Sequence, residues 1–197
     1  MPKKVDHHQR REQLAEAAWH IIRRDGIEGV SVRNVAEEAG MSLGSLRHYF
    51  TTQSELIAFS MRLASDRVTA RIAKLTFSGN PRKDVQMLVC ELVPLNEDTI
   101  AESEIWLALT AKALVDPVLK THFQEVHSQL QAFFLQAMHA FAAIEQALPG
   151  LQPELEAKRL HALVDGLVLH GILLPGSLSA DEIITIVSRH LDSLLEA

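Results

Sequence analysis

The sequence predicts an all-α fold of about nine helices, and three observations support this prediction. Apolar residues recur every three or four positions along most of the chain, the spacing that places them on one face of a helix. Segments rich in glycine, proline and asparagine interrupt this pattern, as expected between helices, and no strand-like alternation appears. Apolar residues make up 47% of the 197 residues, enough for a sizeable core.

The first two helices are defined by their apolar faces and by the glycines that end them. Helix one runs from about Gln9 to Asp25, before Gly26. Its core face consists of Leu14, Ala17, Ala18, Ile21 and Ile22. The face of helix two consists of Val32, Val35, Ala36 and Ala39. Ala36 is small where another helix must cross closely, and Gly40 accepts the positive φ that ends a helix.

Helix three follows helix two after a tight turn, and Ser42 is placed to cap its N-terminus. Leu46 and either Tyr49 or Phe50 would point to the core. The outer side then carries Leu43, Gly44, Ser45, Arg47 and His48. Such a pair of helices is a helix-turn-helix, which lays its second helix in the major groove of DNA. A simple helical hairpin would explain the alanine and glycine of the turn nearly as well.

Six further helices are predicted from their periodicity and end signals. Helix four begins at the capping-box pattern Thr52-Gln53-Ser54-Glu55, and helix seven begins with Asp116 as cap and Pro117 in the first turn. The ranges of helices four to eight are about 52–77, 82–92, 98–114, 117–143 and 153–174. Residues 179–182 cap helix nine.

The elements suggest two domains: a helix-turn-helix DNA-binding domain with a basic N-terminal arm in residues 1–52, and a larger helical effector-binding and dimerisation domain in residues 53–197. The N-terminus of helix four would lie by DNA, and its body would enter the second domain. Because a helix is stiff, a small shift at its far end would move the DNA-reading helix, as a ligand-driven switch requires.

The distribution of charge fits DNA binding better than the net charge of −6 does. Residues 1–62 hold nine Lys or Arg against eight Asp or Glu, so the acidic excess lies in the rest of the chain. Four basic residues cluster near the start: Lys3, Lys4, Arg10 and Arg11. Such an arm can reach phosphates or a minor groove, although a solvated tail explains the two lysines equally well.

Residues of about 9 to 56 resemble the DNA-binding domain of TetR-family transcriptional regulators. The matching segments are residues 26–32, 35 and 36, 39–42, 44–46 and 48–50. The family usually has an aromatic residue in place of Arg47 and a lysine in place of Gln53. These departures add a possible base or phosphate contact at the first position and remove a phosphate contact at the second. The operator sequence therefore does not carry over.

The residues expected to contact DNA lie in helices two and three and at the start of helix four. They are Ser31, Arg33, Ser42, Leu43, Gly44, Ser45, Arg47, His48, Tyr49 and Gln53. Ser31 and Arg33 stand at the start of helix two, where backbone N–H groups face phosphate. Tyr49 can offer its hydroxyl to phosphate. Arg47 is the best candidate for reading guanine, because arginine matches its major-groove acceptors.

Helices eight and nine carry wide apolar stripes. Periodicity shows only that these faces are buried, but the TetR resemblance implies a four-helix dimer interface formed by two such helices from each subunit. The expected interface residues are Leu160, Leu163, Val164, Leu167, Val168, Gly171, Ile183, Val187, Leu191 and Leu194. A homodimer would present two reading heads to the two half-sites of a palindrome.

Helices five to seven carry residues that could line a pocket for a small-molecule effector. They are Met87, Glu102, Trp106, Leu109, Phe123, His127, Leu130 and Phe134. His127 and Glu102 could be polar anchors, and Trp106 could stack on a flat or cationic ligand. Ordinary core packing explains each of these residues as well. Segments of this region resemble a TetR branch that includes betaine-pathway repressors, whose effectors vary.

Several classes of protein are disfavoured. No apolar run approaches the roughly 18 residues of a membrane span, and Cys90 has no partner for an internal disulfide, so we expect a soluble cytoplasmic protein. Phosphate loops, nucleophile elbows and zinc-protease motifs are absent from the sequence, and no pair among His161, His170 and His190 has i, i+4 spacing with a carboxylate partner. We therefore expect no enzyme activity, cofactor or metal.

The sequence predicts a homodimer that binds double-stranded operator DNA through residues 31–50. We expect a repressor that an unknown small molecule releases from a palindromic operator. The main alternative is a helical small-molecule binding protein without a DNA role. It predicts no salt-dependent affinity for DNA.

Overall fold

The computed structural model describes residues 7–196, and over this range it contains nine α-helices and no β-strand. The helices are α1 (His7–Asp25), α2 (Val32–Glu38), α3 (Leu43–Arg47), α4 (Gln53–Ile72), α5 (Pro81–Cys90), α6 (Glu97–Ala113), α7 (Pro117–Ala142), α8 (Pro153–Leu173) and α9 (Ala180–Asp192). A short 3-10 turn, Ile27–Gly29, precedes α2. Among these residues no helix is long and apolar enough to cross a membrane.

The predicted all-α fold is confirmed, and most predicted helix ends lie within two residues of the observed ones. The exception is the end of α4, which stops at Ile72 instead of near Phe77. The N–H groups of Lys74 and Leu75 bond carbonyls three residues back, at 3.0 Å each, so the helix tightens and ends. Because Phe77 is exposed, no core contact favours extending the helix to it.

The caps that the sequence predicts are largely present. Asp116 and Ser179 both cap the following helix, and Ser179 forms a full capping box with Glu182. The box predicted for α4 is split between two residues. The Thr52 hydroxyl accepts the Glu55 N–H, at 3.1 Å, but the Glu55 carboxylate accepts the N–H of Thr51, at 2.9 Å.

The chain divides into two compact units, and neither is a single stretch of sequence. Among the described residues, the first unit comprises residues 7–67 together with Glu104–Glu125. The second comprises Val68–Ser103 and the residues from Val126 onward. By these bounds α4, α6 and α7 each contain residues of both units. The functional boundary at residue 52 stays a prediction.

The core of the first unit brings together the N-terminal helices and a hairpin that lies much later in the chain. Leu14 of α1, Leu46 of α3 and Leu56 of α4 are fully buried. They belong to the same apolar cluster as Leu109 of α6 and Leu119 of α7. The hairpin of α6 and α7 therefore completes the hydrophobic core that supports α2 and α3.

The second unit is built on the apolar faces of α5, α7, α8 and α9. Its buried cluster includes Phe134, Met138 and Phe141 of α7. At the surface of this unit, the Arg82 guanidinium of α5 donates to the Asp192 carboxylate and the Ser188 hydroxyl of α9, at 2.7 Å each. These bonds join two helices that are far apart in sequence.

Candidate nucleic-acid interface

The turn between α2 and α3 is fixed by backbone hydrogen bonds and one glycine. Gly40 has a φ of 64°, as predicted, a conformation that L side chains rarely adopt. The N–H of Met41 donates to the Ala36 carbonyl at 2.8 Å, and the Gly40 N–H donates to the Glu37 carbonyl at 3.0 Å. These bonds satisfy the last carbonyls of α2 and set the direction in which the chain enters α3.

The helix α3 is held by a cap at its start and by apolar anchors at and beyond its end. The Ser42 hydroxyl accepts the Ser45 N–H at 3.1 Å, which confirms the predicted cap. Leu46 and Phe50 are fully buried, whereas Tyr49 is half-buried beside the His7 ring. Phe50 is therefore the second core anchor that the sequence had left open.

The opposite side of α3 and its end are exposed. The exposed residues are Ser42, Leu43, Gly44, Ser45, Arg47 and His48. A Cβ atom added at Gly44 would meet only the Ser42 hydroxyl, at 3.9 Å. Packing within this chain therefore does not require a glycine there. A bare backbone on an exposed helix face suits close approach to another molecule.

At the start of α2, polar side chains fix the backbone. The Ser31 hydroxyl accepts the Asn34 N–H at 3.1 Å, and the Asn34 amide donates to the Gly29 carbonyl at 2.8 Å. Ser31 is half-buried and Arg33 is exposed. Both remain candidates for phosphate contacts.

Gln53 differs from the expectation that it faces DNA. Its side-chain amide donates to the Val30 carbonyl in a partly buried hydrogen bond. The amide therefore joins the first turn of α4 to the residue before Ser31. This role leaves it poorly available to a phosphate, and periodicity alone could not reveal it because the partner is distant in sequence.

The basic arm is also more structural than the sequence suggested. The Arg11 guanidinium lies over the rings of Phe50 and Phe59, 4.8 and 4.4 Å from their centroids. These cation–π contacts favour a role in packing rather than phosphate binding. Arg10 is half-buried and donates to the Gln13 side chain at 2.9 Å. Lys3 and Lys4 lie outside the described residues.

The residues proposed for an effector pocket fall into both units. Met87, Glu102, His127, Leu130 and Phe134 belong to the second unit, and the remaining candidates belong to the first. Those remaining candidates are Trp106, Leu109 and Phe123. The Trp106 and Phe123 rings stack with centroids 5.7 Å apart, whereas Leu109 and Phe134 are core residues.

Glu102 is not available as the expected polar anchor. Arg71 holds it with two hydrogen bonds of 2.7 Å, one to each carboxylate oxygen. The same guanidinium bonds the Glu91 carboxylate at 2.9 Å. The pKa of Arg71 is raised, first by its bonds to Glu102. Because this charge is already paired within the second unit, a cationic ligand would have to displace Arg71 to use it.

A pair of histidines is the other polar feature among the candidates. The His127 and His161 rings stack with centroids 4.8 Å apart, and Phe134 lies 4.9 Å from His161. Burial lowers the pKa of His161, the nearby Asp165 raises it, and His127 lowers it further. Within residues 7–196 no group of three or more potential ligands has the geometry of a metal site.

The residues expected at a dimer interface lie mostly in the core of the chain itself. Eight of them are buried: Leu160, Val164, Leu167, Val168, Ile183, Val187, Leu191 and Leu194. Gly171 is used internally too, because a Cβ there would come within 2.8 Å of the Pro94 ring. These side chains cannot face a partner unless this core opens. The apolar periodicity of α8 and α9 identified buried faces correctly but not what covers them.

A different face of α8 is apolar and exposed. Leu155, Leu169 and Leu173 are 51%, 41% and 62% exposed. Ala162 is also exposed and Gly166 is half-exposed, and all five residues share one stripe at helical spacing, which the exposed Arg159 interrupts between Leu155 and Ala162. The sequence missed this stripe because the opposite face of the helix is richer in large apolar residues.

Two family models match the chain over most of its length. The family described as bacterial regulatory proteins, tetR family, matches residues 14–58. The family described as BetI-type transcriptional repressor, C-terminal, matches residues 81–196. The first match contains α2 and α3, and the second contains α8 and α9.

Curated relatives are similar over nearly the whole chain. The HTH-type transcriptional regulator PksA of Bacillus subtilis is 41% identical over 195 residues, which are 98% of this chain and 94% of that protein. The regulator BetI of Stenotrophomonas maltophilia is 29% identical over 199 residues, with 100% and 98% of the two chains covered.

Solved structures share the fold. A transcriptional regulator from Rhodococcus sp. has a TM-score of 0.83 and 27% identity, covering 93% of this chain and 95% of its own. A putative regulator from Saccharomonospora viridis in complex with choline also has a TM-score of 0.83, at 19% identity, covering 96% of this chain and 100% of its own. The chain contains a helix-turn-helix, matches both family models and is similar to curated regulators over nearly its whole length. It therefore belongs to the TetR family of bacterial transcriptional regulators, with a BetI-type C-terminal region.

Proposed function

We propose that this DNA-binding transcriptional regulator is a homodimeric repressor, which reads a palindromic operator through α3 and leaves it when a small molecule binds. The observation that carries the proposal is the two-sided construction of α3. Leu46 and the following Phe50 fix the segment to the core, while Arg47 and His48 remain exposed. A helix anchored on one side and polar on the other suits insertion into the major groove.

Within this helix, three exposed residues have chemistry that suits a contact with DNA. Arg47 can donate two hydrogen bonds to a guanine edge, and Ser45 can bond either a base or a phosphate. Gly44 allows the backbone to approach the DNA. Arg33 and Tyr49 flank the helix and would bind phosphates, which fix the orientation of the reading head. The contacts of Gln53 argue for removing it from this set.

A second copy of the chain is the partner that operator binding requires. One α3 reads about one half-site, and two reading heads related by a two-fold axis match a palindrome. The exposed stripe formed by Leu155, Ala162, Leu169 and Leu173 offers an apolar face on α8 for this contact. Small residues in its middle would allow two α8 helices to approach closely. The interface we propose is thus this stripe, and not the buried faces of α8 and α9.

The effector is proposed to be a small organic molecule bound among aromatic and histidine side chains. The stacked rings of His127 and His161, with Phe134 beside them in the same unit, offer a flat surface with polar edges. Two proteins of the same fold hold such molecules: the Saccharomonospora viridis regulator is in complex with choline, and EbrR is complexed with ethidium. Both are under 25% identical to this chain, so they support the fold and not the ligand. A cytoplasmic location follows from the proposed role.

The test is selection of DNA from a random duplex pool with the purified full-length chain at two salt concentrations. A palindrome enriched in both, with weaker retention at the higher salt, is the expected result. The same selection is run in parallel with Arg47→Ala, a variant that removes the proposed base contact at an exposed position. The selection is repeated after denaturation and refolding, which strips any bound ligand. Failure to enrich any sequence in both preparations would favour a helical small-molecule binding protein without a DNA role.

A further inference from the structure

The turn between α6 and α7 belongs to the unit that carries the DNA-reading helix. Ile105, Leu109 and Ala113 of α6 are buried, and so is Leu119 of α7. All four pack in the same apolar cluster as Leu46 of α3. The turn is therefore fixed on the core that supports α3, although it lies more than fifty residues later in the chain.

Asp116, in this turn, uses its two carboxylate oxygens for different tasks. Oδ1 accepts the N–H groups of Val118 and Leu119, at 2.9 and 3.2 Å, and so caps α7. Oδ2 accepts the hydroxyl of Ser54 in the first turn of α4, at 2.6 Å. The Ser54 hydroxyl is the main cause of a pKa of Asp116 below its usual range, so the carboxylate is ionised at neutral pH. A charge-assisted hydrogen bond of this kind is stronger than a neutral one.

The neighbour of Ser54 continues the connection toward the reading helices. The Gln53 amide donates to the Val30 carbonyl, and Val30 directly precedes Ser31, the cap of α2. Two side chains in one helical turn therefore hold two different parts of the first unit. Ser54 holds the start of α7, and Gln53 holds the start of α2.

We propose that Asp116 is a positioning residue for operator recognition: through Ser54 it fixes the first turn of α4, and through that turn it fixes the orientation of α2 and α3. This inference rests on the proposed function. It holds that the hydrogen bond between Asp116 and Ser54 makes the dimer selective for operators with one particular spacing between the half-sites. A loosened first turn lets the reading helices tilt, so the dimer tolerates operators whose half-sites are moved apart.

The experiment compares Ser54→Ala with Ser60→Ala in the full-length chain. Ser54→Ala removes the link and leaves the Asp116 cap of α7 in place. Ser60 lies on the same helix, and its hydroxyl donates to the Leu56 carbonyl of that helix at 2.9 Å. The control thus removes a hydroxyl from α4 without removing a bond to another helix. Each variant is titrated with the selected operator and with operators carrying one base pair more or fewer between the half-sites.

For Ser54→Ala we expect an operator affinity that is roughly three- to tenfold weaker. We also expect the preference for the native spacing to shrink by a similar factor. Ser60→Ala should keep the preference of the unaltered chain. Ser54→Thr keeps a hydroxyl and should restore most of the discrimination. If Ser54→Ala kept the spacing preference of the unaltered chain, the inference would be overturned. A Ser54 hydroxyl with only a structural role would change the melting temperature and leave the spacing preference unchanged.

Amide hydrogen exchange measured in the absence of DNA tests this inference independently of the proposed function. In Ser54→Ala the amides of residues 31–50 should exchange at least about threefold faster than in Ser60→Ala. If the unaltered chain selected no operator, the proposed function would fail, and the exchange result would still decide whether the link orders α2 and α3. Equal exchange in the two variants would contradict the link.

Discussion

Arg47 is the exposed side chain with the most to offer a base pair. It stands in the last turn of α3, directly after the buried Leu46, so its backbone is fixed while its guanidinium is free to reach outward. Arg47→Ala should cost roughly 1–3 kcal/mol of operator binding and relax the preference at one base position. Lys83→Ala, at an exposed position in α5, removes a positive charge elsewhere and is the control. Equal losses in the two variants, measured by titration at fixed salt, would argue against base reading.

His161, which is buried, and His190, which is half-buried, should make the stability of the protein depend on pH. Burial lowers the pKa of His161 and of His190, and an unfolded histidine has a pKa of about 6.5. At a pH below about 6.5 the unfolded chain therefore binds more protons than the folded chain. The contribution of these two histidines to the free energy of unfolding is fully present above about pH 6.5, and it falls as the pH drops toward their pKa values in the folded protein. His161→Gln should reduce the fall in melting temperature between about pH 7.5 and about pH 5.5.

The control for this prediction is Val164→Ala, which removes buried volume from the same helix as His161 without removing a titratable group. This variant should keep the pH dependence of the unaltered chain. A profile for His161→Gln that is parallel to the control would mean that other groups cause the dependence. The remaining slope in His161→Gln is expected to come from His190.

At the scale of single residues, the sequence predicted roles that depend on near neighbours and missed those that depend on the fold. The positive φ of Gly40 and the cap at Ser42 follow from residues within a few positions. The cation–π contacts of Arg11 and the bond from Gln53 to Val30 involve partners much farther along the chain. No local pattern distinguishes such side chains from solvated ones.

The third helix offers a test that separates folding from recognition. Gly44 has open space around its Cα position, and alanine is favoured over glycine within a helix by about 1 kcal/mol. Gly44→Ala should therefore leave stability unchanged or raise it by up to about 1 kcal/mol, while the added methyl group weakens operator binding. Thermal melting and DNA titration of one preparation measure both effects. Unweakened binding would mean that the backbone at Gly44 does not approach DNA.

Helices were predictable as elements because their signals lie in consecutive residues. Capping residues and prolines located the starts of α7 and α9. The end of α4 was misjudged, since apolar residues continue to Phe77 but the last of them are not covered. Whether an apolar residue extends a helix depends on a packing partner, which the helix's own sequence does not contain.

At the scale of the whole molecule, the first unit depends on residues far in sequence from α2 and α3. Leu119 of α7 is fully buried in the same cluster as Leu46 and Phe50. Leu119→Ala should destabilise the protein by about 2–5 kcal/mol, because it leaves a cavity in this core. Its neighbour Val118 is 49% exposed, so Val118→Ala should change stability by less than about 0.5 kcal/mol. Hydrogen exchange of residues 31–50 should increase in the first variant alone; equal protection in both would place Leu119 outside the supporting core.

Sequence periodicity says least about which helix face is available to contact another copy of the chain. The faces of α8 and α9 with the most large apolar residues are those that the chain covers itself, as the burial of Val164 and Val187 shows. The apolar face that this chain leaves exposed is the sparser stripe with Leu155, Leu169 and Leu173. Because a period of about 3.6 residues identifies a buried face without identifying the covering element, only the structure separates the two faces.

The exposed stripe therefore makes a sharper prediction than the buried faces do. Leu169→Glu combined with Leu173→Glu places two like charges opposite their copies in a symmetric interface, and it should convert a dimer to a monomer in sedimentation measurements. Operator affinity should fall by roughly a hundredfold or more, because two linked reading heads gain affinity from effective concentration. Phe77→Glu, at an exposed apolar residue between α4 and α5, should leave mass and affinity unchanged. If the double variant stayed dimeric with a normal melting temperature, the dimer interface would lie elsewhere. If it were a monomer that bound DNA at full affinity, DNA recognition would not depend on dimerisation.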